Sequence, residues 1–406
     1  MAAPPRGIAV REVDVLLVGG GVASVRCART LRRHGFAGTI VLVGNEARAP
    51  YNRPPLSKEL LRGEVPDDLV AVEPDRWYQR KGIELRTDVA VTELDAGDQL
   101  ARFDDGSVVR YRSCLLAPGA EPRRPPIPGA KHAHLLRTVG DAASIRDAAM
   151  RAGPGAAAAV IGGGFIGVEV AASLASHGLR VRLFELSSRL WAGSLGATLS
   201  DWAVERLQAV GVEARLSTPV TALEPDTVLV GDERSPAEVI VAGVGVRPRT
   251  ELAERAGLAV DNGIVVDADR RAAPGIFAAG DVASVPHPAA DGKRLRVEHW
   301  HAAREGGEAA AIGILGQPVP VPRAPWVYTE FAGQLIDVVG WAPNPEEERV
   351  IGDMRAGSFA VAALVQGLVR QVAVVNGALP VEAARAFVET RPPADALARL
   401  AVAGPH

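Results

Sequence analysis

Two stretches of this chain repeat one pattern, and the pattern leaves little choice of fold. Residues 13–24, VDVLLVGGGVAS, and residues 158–169, AAVIGGGFIGVE, each run from a short apolar segment through a glycine-rich turn into a helical pattern. Each then meets a second apolar run, TIVLVG (39–44) and LRVRLFE (179–185), and an acid stands at or just after its end. A dinucleotide carries a pyrophosphate, which binds well where backbone N–H groups converge at a helix N-terminus. The turn must be tight and must let the backbone approach the phosphate, which demands glycine at its first two positions and a small third residue where helix packs on sheet. Gly19, Gly21 and Ser24 fill those places in the first turn, and Gly162, Gly164 and Gly167 in the second. A single such turn is weak evidence. Two, each in strand–turn–helix context with an acid after the next strand, predict two dinucleotide sites. Asn45 and Glu46 follow the first, and Glu185 ends the second. A carboxylate at that point accepts hydrogen bonds from a ribose diol and repels a 2′-phosphate, so Glu185 favours NADH over NADPH.

A third segment, GIFAAGD (275–281), reads as a short apolar strand that delivers Asp281 to a carboxyl edge, where it can meet a flavin ribityl or pyrophosphate. From about Pro325 the pattern changes to short strands and one last helix over 381–390, a separate small α+β domain. The fold class expected is therefore α/β: two Rossmann-like dinucleotide-binding domains plus a small α+β C-terminal domain.

Net charge is −3, which withholds the bulk basic footprint of a nucleic-acid-binding protein or a membrane-surface one. The first residues, MAAPPRGIAV, contain no apolar signal core, and a cytoplasmic location is expected. Cys27 and Cys114 are the two cysteines, too far apart in sequence for a local dithiol or a zinc site, and both are expected to be small core residues. His299 and His301, in EHWH, are expected to point apart, and no metal site is expected.

One basic residue stands out. The chain has four lysines among its 45 Lys and Arg residues, and one of them, Lys58, lies in PYNRPPLSKELLRG (50–63). That segment, together with VIGGGFIGVE, GVGVRPRTELAE, PGIFAAGDVAS and RVEHWHAAREGGEAA, resembles the two-dinucleotide-fold flavoprotein reductases. Within them it is most similar to the NADH-dependent ferredoxin reductases of oxygenase systems, the family of putidaredoxin and rhodocoxin reductases. The resemblance implies a glutathione-reductase-like arrangement: a discontinuous FAD domain (1–118 and 246–323), an inserted NAD domain (119–245) and a C-terminal domain (324–406). It implies that hydride passes from NADH to FAD and that electrons leave singly to a ferredoxin serving an oxygenase. The absence of a cysteine pair decides against the disulfide-reductase branch. A reductase of a quinone or other small one-electron acceptor, or a flavin redox-signalling protein like apoptosis-inducing factor, stays open beside it.

The site residues follow from the resemblance one at a time. Lys58 would border the flavin N5 and pair with Glu169, a compact ammonium against the ring that gains charge. Gly19, Gly21, Ala23, Asn45, Glu46, Arg53, Val91, Gly119, Arg137, Asp281 and Trp300 would hold FAD, with Trp300 against the isoalloxazine. Gly162, Gly164, Phe165, Ile166, Gly167, Glu169, Glu185 and Gly245 would hold NAD, with Phe165 and Ile166 flanking the nicotinamide. Arg304 and Arg323 are expected to steer an acidic partner. The family's usual Trp-Ser-Asp-Gln reads Tyr328-Thr329-Glu330-Phe331 here, a departure expected to sit where the acceptor docks.

Overall fold

The computed structural model describes residues 10–400. Its chain falls into two compact units. One runs as far as Asn52, resumes over Val70–Glu121 and closes over Pro248–Arg323. The other holds Arg53–Leu69, Pro122–Arg247 and the chain from Ala324 onward. The boundaries expected from the sequence put residues 53–69 with 1–118; by packing, that segment groups with 122–247 instead.

In the first unit, five parallel strands lie in the order Ile276–Ala278, Val108–Leu116, Val10–Val18, Ile40–Val43 and Ile83–Arg86. Strands covered on both faces read as continuous apolar runs, and LLV at 16–18 and IVLV at 40–43 are such runs. Alternate side chains feed opposite layers: Leu16 and Val18 join one buried cluster, Val15 and Leu17 the other. The strand order reverses between Val10–Val18 and Val108–Leu116, and a crevice opens for ligand beyond the carboxyl ends at such a reversal. The helix Val22–Arg33 packs on the helix Trp300–Ile314, and they meet closely enough that a Cβ on Gly307 would lie 2.1 Å from the Ala23 carbonyl oxygen.

The second unit repeats the plan with four parallel strands, Val212–Arg215, Arg180–Phe184, Ala157–Ile161 and Val239–Ala242. Its order reverses between the last two. The residues from Trp326 form a five-stranded antiparallel sheet, backed by the helix Val381–Glu389. That sheet shares one apolar core with the parallel layer: Phe331, Phe359 and Val361 join Val160, Leu183 and Trp202. Among the described residues, no helix is long and apolar enough to cross a membrane.

Candidate functional site

Both glycine-rich turns sit at the strand-order reversals. Gly19 has φ +115°, and a Cβ there would come 2.1 Å from the Ala117 carbonyl oxygen on the neighbouring strand's exit. Gly162 repeats this at φ +105°, with the Gly243 carbonyl oxygen 2.5 Å from where a Cβ would be. The third glycine of the second turn is needed for contact, since a Cβ on Gly167 would fall 1.9 Å from the Gly162 oxygen. Ser24 holds the equivalent place in the first turn, fully buried, with its hydroxyl unbonded.

Each turn opens a helix capped by glycine, Gly21 for Val22–Arg33 and Gly164 for Phe165–Ser176. Neither helix has a side-chain cap or an acid in its first turn, and the space a Cβ would take at Gly21 or Gly164 is open. First-turn N–H groups with no side-chain acceptor, beside a glycine cap with open space where a Cβ would be, fit a dinucleotide pyrophosphate at both places.

In the second unit Glu185 is aimed at its turn. Its Oε2 accepts the Gly163 N–H at 2.5 Å and its Oε1 the Ser187 N–H at 2.7 Å. Phe165 stacks on Trp191 at 6.0 Å between ring centroids, while Ile166 stays 44% exposed. Gly245 has φ +92°, and its carbonyl accepts the Arg123 N–H.

The same unit carries the buried charge. Lys58 is the junction between the 3-10 turn Pro54–Ser57 and the helix Glu59–Arg62. Its Nζ donates to Glu169 Oε2 at 3.0 Å, with Lys58 4% and Glu169 3% exposed. The Ser57 hydroxyl donates to the same oxygen, and Thr329 Oγ1 donates to Oε1 at 2.8 Å. The Lys58 ammonium also lies 5.6 Å from the Tyr328 ring centroid, within cation–π reach. Burial, then the carboxylates of Glu169 and Glu59, push the Tyr328 phenol up, so its ring faces Lys58 as a neutral group. Lys58 and Glu169 thus form a desolvated ion pair in which the carboxylate takes three donors. Of these partners only Lys58 and Glu169 were expected to act; Ser57 stands inside the PPLSK segment, but nothing local pointed to Thr329. Phe331 corrects an expectation. It is 1% exposed and wedged edge-on against Trp191 and Trp202, so it belongs to the core and offers nothing to a docking partner.

The remaining cofactor candidates divide between the units. Gly19, Gly21, Ala23, Asn45, Glu46, Val91, Gly119, Asp281 and Trp300 fall in the first; Arg53 and Arg137 fall in the second with Lys58. Asn45 is exposed, and Glu46 Oε2 accepts the Tyr51 hydroxyl at 2.6 Å. Val91 is half-buried on an edge hairpin opposite Phe103. Gly119, at φ +74°, accepts the Arg249 N–H through its carbonyl. Asp281 sits in a 3-10 turn, where its carbonyl accepts from Arg296. Trp300 Nε1 donates to Asn52 Oδ1 at 2.8 Å, and the guanidinium carbons of Arg26 and Arg304 lie 5.9 and 5.7 Å from its ring. Arg53 Nη1 donates to the Arg137 carbonyl at 2.5 Å.

His299 and His301 do not point apart: His299 is the extended N-cap, outside the helix turn, and its ring lies nearly parallel to that of His301 at 5.9 Å. Among the described residues no cluster of three or more His, Cys, Asp or Glu is placed to hold a metal. Cys27 and Cys114 are fully buried, and burial pushes both thiols far above their ordinary range.

Residues 13–307 match the pyridine nucleotide–disulphide oxidoreductase family. The chain belongs to that family. It is an oxidoreductase whose two buried thiols set it apart from members that work through a dithiol. The chain is 36% identical to the "Probable ferredoxin reductase CtmF" of Castellaniella defragrans over 92% of its own length and 93% of that protein's. It is 33% identical to the biphenyl dioxygenase system ferredoxin–NAD(+) reductase component of Paraburkholderia xenovorans, covering 93% of each chain. Among solved structures it is similar to the covalent putidaredoxin reductase–putidaredoxin complex, with TM-score 0.88 and 30% identity over 94% of each chain. The ferredoxin reductase for the CYP199A2 system of Rhodopseudomonas palustris follows at TM-score 0.86 and 26% identity, over 94% of this chain and 98% of that one.

Proposed function

We propose that the protein is an FAD-dependent NADH:ferredoxin oxidoreductase that supplies an oxygenase, such as a cytochrome P450 or a ring-hydroxylating dioxygenase. The observation that carries this reading is the buried Lys58–Glu169 pair, built on the helix whose N-terminus is the second dinucleotide turn. The named relatives are ferredoxin reductases, and the sealed thiols leave disulfide chemistry without a nucleophile.

What FAD supplies when bound is a ring that takes a hydride as one pair and gives electrons up singly. The chain's own residues do the rest. Gly19, Gly21 and Ala23 present backbone N–H groups to the FAD pyrophosphate, and Gly162, Gly164 and Phe165 do the same for NADH. Glu185, held by the Gly163 and Ser187 amides, accepts the ribose diol and disfavours a 2′-phosphate. Phe165 and Ile166 flank the nicotinamide. Lys58 would offer positive charge to a flavin ring as it is reduced, and Glu169 keeps that ammonium buried without a net charge. Trp300, with Arg26 and Arg304 beside its ring, would lie against the flavin, whose electrons a ferredoxin would accept.

The purified protein should be yellow, oxidise NADH faster than NADPH, and reduce cytochrome c only when a ferredoxin is added. Cytochrome c reduction that ignores every ferredoxin tried, beside rapid quinone reduction, would sink the ferredoxin reading and favour a small acceptor.

A further inference from the structure

The ion pair is not held by its two members alone. The helix Phe165–Ser176 and its cap place Glu169, Ser173 and His177 at intervals of four residues, which stacks them along one face. All three reach the same short segment. Glu169 bonds Ser57 and Lys58 through their side chains; Ser173 Oγ donates to the Ser57 carbonyl at 2.7 Å; His177 Nε2 donates to the Leu61 carbonyl at 2.9 Å. Arg146 adds a bond to the Leu60 carbonyl at 3.0 Å. The backbone on either side of Lys58 is therefore fastened to the helix that starts at the NAD turn. On the other side of the carboxylate stands Thr329, from the strand Trp326–Phe331, whose hydroxyl occupies the oxygen that Lys58 does not use. Ser173, Thr329 and Ser57 are all at most 1% exposed, so water does not compete for the bonds these three hydroxyls make.

We propose that Thr329 and Ser173 are positioning residues for Lys58: Thr329 fixes the rotation of the Glu169 carboxylate, and Ser173 fixes the chain that carries the ammonium. A carboxylate with donors on both oxygens cannot swing, and a lysine whose own backbone is pinned one residue away has only its stem to move. Small displacements of a group beside a reacting centre cost rate steeply. The proposal rests on the reading that Lys58 borders the ring receiving hydride.

The chain's four lysines make a direct test feasible. Protein labelled with 15N at the lysine ζ-nitrogen yields at most one ammonium signal per lysine, and the signal absent in Lys58→Met identifies Lys58. Its protons should exchange slowly in the wild type. Thr329→Val and Ser173→Ala should each speed that exchange by on the order of tenfold. Each should also slow NADH-driven flavin reduction by on the order of tenfold while leaving the NADH dissociation constant within about twofold. Thr329→Ser should restore both readings. Should Thr329→Val fail to load flavin, Ser173→Ala carries the test alone. Exchange and reduction rates both within about twofold of wild type in the variants would overturn the proposal. If Lys58→Met leaves the reduction rate unchanged, the assigned role of Lys58 fails instead, and the exchange rates still decide whether Thr329 and Ser173 hold it.

Discussion

At the scale of the residue, Glu169 is the group with most at stake. Its burial is tolerable because Lys58, Ser57 and Thr329 all donate to it. Glu169→Gln would leave a buried ammonium without a counter-charge, and the expected cost is about 3–5 kcal/mol, read from urea unfolding of the purified protein. Glu185→Ala should narrow the preference for NADH over NADPH, measured as the ratio of the two kcat/KM values. Retention of the full ratio would mean that another group reads the ribose. The cysteines give a third expectation. Burial raises both thiols, so the neutral form persists as pH rises through the usual thiol range. A disulfide-exchange reagent at about pH 8 should detect no thiol in the native protein. Two should react once the chain is unfolded in guanidinium.

At the scale of the element, the parallel strands and both glycine turns were legible because backbone demands wrote them locally: an apolar run, a glycine where a Cβ would strike Ala117 or Gly243, and a helix behind. Lys58 and Glu169 were legible because each stands in a distinctive segment. Thr329 was not. Its partner is 160 residues away, and a threonine in a β-strand looks like any other. The place of Phe331 is hidden for the same reason, since only the packed structure shows two tryptophans closing over it. The change from glutamine to phenylalanine there belongs to the core of the second unit. Phe331→Gln should therefore cost about 3–5 kcal/mol through lost packing and an unpaired amide, seen as a lowered melting midpoint. Position 329 tells the opposite story, because threonine keeps the hydroxyl that serine offers in the usual pattern.

At the scale of the whole molecule, the expected boundaries put Lys58 with residues 1–118, whereas packing groups it with Glu169. A resemblance in sequence order does not say what an intervening loop packs on, and the Ser57–Leu61 segment is claimed by the helix Phe165–Ser176 and its cap through side chains. Nucleotide binding should be felt in global stability: NAD+ at about 100 times its dissociation constant should add about 2.7 kcal/mol, and Gly164→Val should remove that gain. An unchanged response in the variant would exclude the turn as the binding place. The sealed cysteines also bear on endurance. Proteins that pass single electrons in air release some of them to dioxygen, and the peroxide so formed attacks accessible thiolates first. With neither sulfur ionised nor reachable, the protein needs no thiol repair and should outlast dithiol-dependent kin when peroxide is added.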